Sequence, residues 1–469
     1  MKMTFLDRAI AAVSPAMGAR RLKSRMALDQ MMNYEAASRS RRTKGWRTNS
    51  GDANSALRGN LPRMRDVSRD MIRNTPYAAR AQNVIVNNVI GKGILPSAID
   101  SNGAPHIEAE NLLRDHFDTT AIDSDGLQDL YGVQERMMNA VFSDGEVIVR
   151  RRLRRASDRL PLTFQVQVIE ADYLDTSVHG QLSNGNTAIE GVEFDLIGRR
   201  VAYHIHRDHP GSVTAFRSVD SDRISAQNII HLFRGDRPGQ VRGVPWLAPV
   251  ALRLQDLQTY EDAQLVRQQM AQMWAMFIQD QDPDADGSLT ANPRDSVSPG
   301  MIEFLPPGKT IQFADPPKVD GYDAFTSGVL RGAAAGLGIT YEAMSGDLSK
   351  VNFSSARMGR LEMDRNVSRW QELMMIRQGL AKIGEWFRQA AALEISPSEY
   401  RIEWTPPRRA LVDPNREVPP MLELIEGRLK SRRQTIRELG FDPDRVEQEI
   451  QEEGESEPFV RREETDDAD

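Results

Sequence analysis

FTSGVLRGAAAGLGITYEAMSGDLSKVNFSSARMGRLEMD, residues 325 to 364, reads as helix, tight turn, polar loop and long helix. Phe325, Val329 and Leu330 recur at helical spacing, and Gly332, Gly336 and Gly338 remove side chains where a second backbone comes close or where the helix ends. Gly346 closes the short apolar turn that follows. From Asp347 to Asn352 the chain is polar with one base, Lys350, and Ser354 or Ser355 offers a cap for the next helix. A loop held between two packed helices is able to project into a space.

Outward from this stretch the periodicity changes several times. Residues 61 to 143 look largely helical, with Asn74-Thr75-Pro76 opening one helix and Gly91-Lys92-Gly93 stopping it. Between Glu146 and about Phe233 the period becomes two, and VIVRR, LTFQVQVI, GVEFDLIG and RVAYHIH read as strands between Gly, Asp and Asn turns. Pro245 is expected to open a helix running to about residue 279, with Leu247, Val250, Leu254 and Leu257 on one face. After the acidic stretch QDPDADGSLTANPRDS, the segment GMIEFLPPGKTIQFADP reads as strand, turn, strand. From Ser355 to about Leu393, Leu373, Ile376, Leu380, Ile383 and Phe387 keep helical spacing, and RIEW and a helix near 418 to 430 follow. The fold class is α+β, mainly helical.

At 469 residues, 40% hydrophobic and 27% charged, the composition is that of a protein with an ordinary core, and no apolar run approaches a membrane span. With no cysteine there are no disulfides, no thiolate chemistry and no cysteine-bound metal. The net charge of -7 conceals a polarity: residues 1 to 65 hold fourteen Lys or Arg against four acids, and residues 441 to 469 hold three Arg against thirteen acids. Such ends are solvated tails or docking arms for partners of opposite sign.

Three patterns suggest chemistry. Pro307-Gly308-Lys309-Thr310 ends like a phosphate-binding loop, but Glu303 stands where the first Gly is required and strand residues follow where a helix must begin. It reads as a turn. His204, His206, Asp208 and His209 spell H-x-H-x-D-H, and a zinc-dependent hydrolase built on these four is the alternative function. Only His231 follows them, so the further ligands of such an enzyme are short by at least one. Arg150, Arg151, Arg152, Arg154 and Arg155 offer forks for carboxylate or phosphate, or else form a solvated turn; without interleaved aromatics, base stacking is not implied.

Gly338, Ile339, Tyr341, Glu342, Met344, Gly346 and Asp347 spell a Gly-Ile-x-Tyr-Glu-x-Met-x-Gly-Asp element. Together with GVEFDLIGRRVAYHIHRDHPG (191–211) and IIHLFRGDRPGQVRGVPWLAPVALRLQDLQTYEDAQLVRQQMA (229–271), it makes the chain from about residue 20 to about 430 resemble the lambda-type portal proteins of tailed bacteriophages. The resemblance implies a structural ring, usually of twelve copies, with no cofactor and no catalysis. It implies a wing (61–126 and 281–344), stem helices (127–145 and 246–280), a β-rich clip (146–245), a tunnel loop (345–354), a long helix (355–395) and a crown (396–440). The basic arm 1–60, expected to be partly disordered, and the acidic tail 441–469, expected to be disordered, flank them.

Implied partners are double-stranded DNA bound without regard to sequence, the large terminase subunit, head-completion or adaptor proteins, and the major capsid and scaffold proteins. Lys350, Asn352 and Arg357 are then the expected channel residues, Arg150, Arg151, Arg152, Arg154 and Arg155 the docking site for terminase or adaptors, and Gly332, Gly336 and Gly338 the subunit-packing positions.

Overall fold

The computed structural model describes residues 10, 12–21, 23, 45, 50–213, 220–272, 276–280, 309–313, 321–349, 351–407, 414–441 and 443–454. Met1–Asp52 and Ala53–Asp469 are separate compact units. In the first, residues 15–21 are helical. The second carries everything below.

It opens with α1 (Ala53–Leu57), α2 (Leu61–Asn74) and α3 (Pro76–Val89). Pro62 and Pro76 sit at helix starts, where a missing N–H costs nothing. Residues 44 to 60 read as exposed loop, yet α1 forms there. Asn54 holds it, accepting from Val241 N–H and donating to the Gly239 carbonyl, both at 2.9 Å. Next come β1 (Leu95–Asp100), α4 (Ile107–Phe117) and α5 (Leu130–Asp144), the last capped by Asp129 and closed by Gly145 in the left-handed region.

The period-two segment folds as β2 (Glu146–Leu153), β3 (Phe164–Ile169), β4 (Gly180–Gln181), β5 (Thr187–Ile189), β6 (Val192–Phe194), β7 (Arg200–His206), β8 (Ser221–Ser225) and β9 (Ile229–Phe233). β2 is the centre of a three-stranded antiparallel sheet, β3-β2-β9, and β4 to β8 form a five-stranded meander. Alternation along β2 divides the interior: Val147 and Val149 join the large helical core, while Ile148 joins a smaller core with Val192, Tyr203 and Ile205 of the meander. The β-rich segment is thus built into the body of the fold.

Beyond residue 250 the chain forms α6 (Ala251–Gln272), β10 (Met276–Asp280), β11 (Lys309–Phe313), α7 (Tyr322–Leu337), α8 (Tyr341–Ser345) and α9 (Phe353–Arg369). The expected helix over 246–280 is corrected at both ends. Residues 246–250 are turn, and Met276–Asp280 is a strand paired antiparallel with Lys309–Phe313. Alternating Met276, Ile278 and Phe313, Ile311 suit a ladder better than a helix end. Lys309 and Thr310, read as part of a turn, are already in β11, and the strand expected after them is Ile311–Phe313; residues 301–308 lie outside the described residues.

After α9 the helix continues as a π-helical stretch, Trp370–Leu380, and then α10 (Ala381–Ala391). The wider π turn rotates the register, which explains one difference from the sequence reading. Leu373 is 56% exposed, and Met374 and Met375 take the buried positions. β12 (Tyr400–Thr405) pairs antiparallel with β1, and α11 (Pro414–Glu426), α12 (Arg432–Glu438) and α13 (Pro443–Gly454) end the described chain. Within the acidic tail, Pro443–Gly454 is therefore helical. Proline at its first position and an Arg445–Glu449 pair one turn apart (3.0 Å) favour that helix. Residues 455–469 lie outside the described part.

Candidate functional site

The loop between α8 and α9 is built from local capping chemistry. Gly338, at φ +73°, ends α7 in a six-to-one motif: its N–H bonds to the Ala335 carbonyl at 3.3 Å, and the Ile339 N–H bonds to the Ala334 carbonyl at 3.1 Å. Thr340 then caps α8, its Oγ1 accepting from Ala343 N–H at 3.1 Å. Met344 is fully buried beneath it, and Arg80 of α3 donates to the Ala343 carbonyl at 2.8 Å. Gly346, at φ +76°, turns the chain outward.

Asp347 is fixed by Tyr341 Oη at 3.1 Å and by Ser349 N–H at 3.0 Å, and Leu348 beside it is 68% exposed. The far end is closed by Asn352, whose Oδ1 accepts from Ser355 N–H at 2.8 Å while Ser355 Oγ accepts from Asn352 N–H at 3.2 Å. The result is a short exposed loop clamped at both roots.

Of the three expected channel residues, Lys350 lies outside the described residues, Asn352 is the cap of α9, and Arg357 is exposed one turn further on. The glycines of α7 work within the chain. A methyl group on Gly336 would stand 2.5 Å from Val250 Cγ1, and one on Gly332 would meet the Arg253 guanidinium. The close approach that they permit is that of α6 and the turn before it in the same chain. Tyr260 meets Phe325 at 4.5 Å, and Tyr322 Oη donates to Glu261 at 3.2 Å, so α6 and α7 run antiparallel.

The arginine cluster is largely occupied. Arg150 is partly buried in β2, and Arg151 bonds Gln389 of α10 at 2.6 Å and lies over the Phe164 and Trp386 rings. Arg152 donates to Gln167 and Arg154 to Gln165 on the neighbouring strand, at 2.8 and 2.7 Å. Arg155 alone among the five is exposed.

The histidines do not converge. His204 Nε2 lies 3.2 Å from Glu193, His206 Nε2 lies 3.8 Å from Asp175, and His209 Nε2 lies 3.1 Å from Glu170. Among the described residues, the group of acids and histidine close enough to share an ion is Glu170, Asp172 and His209. The Arg69 guanidinium already sits 2.6 Å from Asp172 and 3.3 Å from Glu170 there. A cation would have to displace it, so the cluster is an ion pair and not a metal site.

One constellation escaped the sequence reading. At the start of β2 the fully buried Glu146 receives Arg242 Nη2 at 2.6 Å and the Gly243 N–H at 2.8 Å, with His231 Nε2 at 2.9 Å and Arg65 Nη1 at 3.5 Å. Burial alone would push its pKa up, but Arg242 and His231 hold the carboxyl well below the usual carboxylate range. Burial in turn pushes His231 down to about 4, so it is neutral at neutral pH. Beside this node Arg69 Nε binds Asp144 Oδ1 at 2.8 Å. Five separate segments meet here, and the only sequence hint was Arg65 and Arg69 one turn apart on α2.

A family profile described as "Phage portal protein, lambda family" matches residues 39–371. The chain is 28% identical over 446 residues to the "Probable portal protein" of Halomonas phage phiHAP-1, covering 89% of this chain and 85% of that one. It is 22% identical over 457 residues to "Portal protein B" of Escherichia phage lambda, covering 85% and 84%. Among solved structures, the "Neck of empty GTA particle computed with C6 symmetry" superposes with a TM-score of 0.50 at 14% identity, covering 81% of this chain and 94% of that chain. At that identity the likeness concerns the fold alone.

Proposed function

The chain belongs to the lambda family of phage portal proteins, and on that premise we propose that its copies close into a ring, of about twelve by resemblance to the family, around an axial channel for double-stranded DNA at one capsid vertex. The family is a structural one, and the zinc-hydrolase alternative is set aside. The observation that carries the reading is the loop at Asp347–Val351, exposed at its tip and clamped at both roots by caps and by Arg80. A ring of such loops forms a constriction without needing a binding pocket.

The geometry also favours a different division of the chain. β2 contributes Val147 and Val149 to the main core, and a strand buried on that face makes a poor protruding tip. The antiparallel helices α6 and α7 lead away from that core into the β10–β11 ladder. We place the stem at α6 and α7 and the clip at β10–β11, in preference to stem helices at 127–145 and 246–280 and a clip at 146–245. Terminase and head-completion proteins would then dock at the distal ladder, and the arginines of β2 would serve packing. Capsid and scaffold contacts would fall on the wing.

DNA must slide through such a channel, and each neutralised phosphate adds affinity through counterion release. A chain of net charge -7 with one base in the loop suits sparse, sequence-blind contact. Lys350→Ala is expected to leave ring assembly intact and to change the amount of DNA retained in filled particles. Loss of assembly instead would make Lys350 an interface residue.

A further inference from the structure

We infer that the outer faces of α6 and α9 are the two complementary halves of the contact between neighbouring copies, an inference that rests on the ring reading above. Along α6, Leu252, Asp256, Thr259, Ala263 and Val266 are all exposed and recur at steps of four, three, four and three residues. That spacing places them in one stripe, the seam that a facing helix would fill. Leu252 is 82% exposed and Val266 49%, on a helix whose opposite side is already covered by α7.

α9 carries a matching stripe. Ser354, Met358, Leu361 and Arg365 are exposed at the same spacing, with Arg369 one turn on; Met358 is 68% and Leu361 48% exposed. Scattered apolar exposure is ordinary, but two ordered seams, each pairing apolar with charged positions, fit a protein partner.

The signs choose that partner. Asp256 lies in the α6 stripe and Asp262 on its flank beside Val266, whereas the α9 face carries Arg365 and Arg369 against one exposed acid, Glu362, and among the described residues neither these two aspartates nor these two arginines are ion-paired within the chain. Two α9 faces would repel each other, and so would two α6 faces, which disfavours two-fold pairing. An α6 face against an α9 face satisfies both charges and leaves a free half at each end, the head-to-tail contact that closes rings. Exposed arginines would also suit a phosphate backbone; the interleaved Met358 and Leu361 favour protein.

The test uses the full chain with Arg365→Glu/Arg369→Glu in one variant and Asp256→Arg/Asp262→Arg in another. Each alone is expected to need at least about tenfold more protein to form rings. An equimolar mixture should recover rings, because the reversed α9 of one variant meets the reversed α6 of the other at alternating contacts. If wild-type protein forms rings and either variant assembles as readily, or the mixture does not recover, the assignment is overturned. An α9 variant that assembles normally but retains less DNA overturns it too, and makes the arginines a DNA surface. Absence of rings from wild-type protein would instead refute the ring itself.

Discussion

Arg242→Met is expected to lower the stability of the body by about 3–5 kcal/mol, the usual consequence of removing one partner from a buried ion pair. Glu146 is fully enclosed, and without the two guanidinium contacts at 2.6 and 2.9 Å its charge faces only the Gly243 N–H, His231 and the more distant Arg65. The double variant Glu146→Met/Arg242→Met should recover much of the loss, since both charges leave together. Denaturant unfolding of the wild type, the two single variants Arg242→Met and Glu146→Met, and the double measures this; an additive double loss would mean that the node is not coupled.

The same node sets a pH dependence. His231 is held at about 4 against an ordinary 6.5, with burial as the main cause, so between those values the unfolded chain binds a proton that the folded chain refuses. Stability should therefore fall as pH drops from about 6.5 towards 4. His116, also fully buried and held at about 4 by burial, adds in the same direction. The Glu146 contribution runs in the same direction in a lower window: it is fully present above the ordinary carboxylate range and is lost progressively as pH falls through and below that range.

Gly145→Ala should be nearly as damaging, at upwards of about 3 kcal/mol from left-handed strain plus collision. Its φ is +88°, and a methyl group there would stand 2.5 Å from Pro245 N and Val244 N, and closer still to the Val244 carbonyl carbon. Those are backbone atoms, which cannot step aside as the end of a side chain can. Gly243 leans back against the Gly145 carbonyl in the same way, so two backbones cross at the point where Glu146 meets Arg242. Gly185→Ala is the control: φ is +83° but nothing lies within 4 Å, so only the strain of about 1–2 kcal/mol remains. Equal losses for the two variants would show that contact at Gly145 contributes nothing.

What the sequence disclosed was local. Gly338, Gly346 and Asn352 act through bonds to residues within five positions, so the helix ends and the exposed loop could be read directly. The period of two along β2 was equally plain, yet where its arginines point depends on Gln389, 238 positions away. Glu146 and Arg242 are 96 apart, and neither has a local pattern that announces a buried pair. His204 and His206 share a strand as expected, but each is engaged by a different carboxylate, Glu193 on β6 and Asp175 in the turn region after β3, and that decided against a shared metal. Leu373 misled because helical spacing presumes 3.6 residues per turn, and the π stretch from Trp370 departs from it. Met276–Asp280 misled for a different reason: its pairing partner begins at Lys309, beyond a long intervening segment.

The claim on which the rest depends is closure of many copies around an open axis. Negative-stain electron microscopy of the purified full-length chain tests it most directly. Closed rings with a stain-filled centre are the predicted result, and a protein that stays single at every concentration would contradict it.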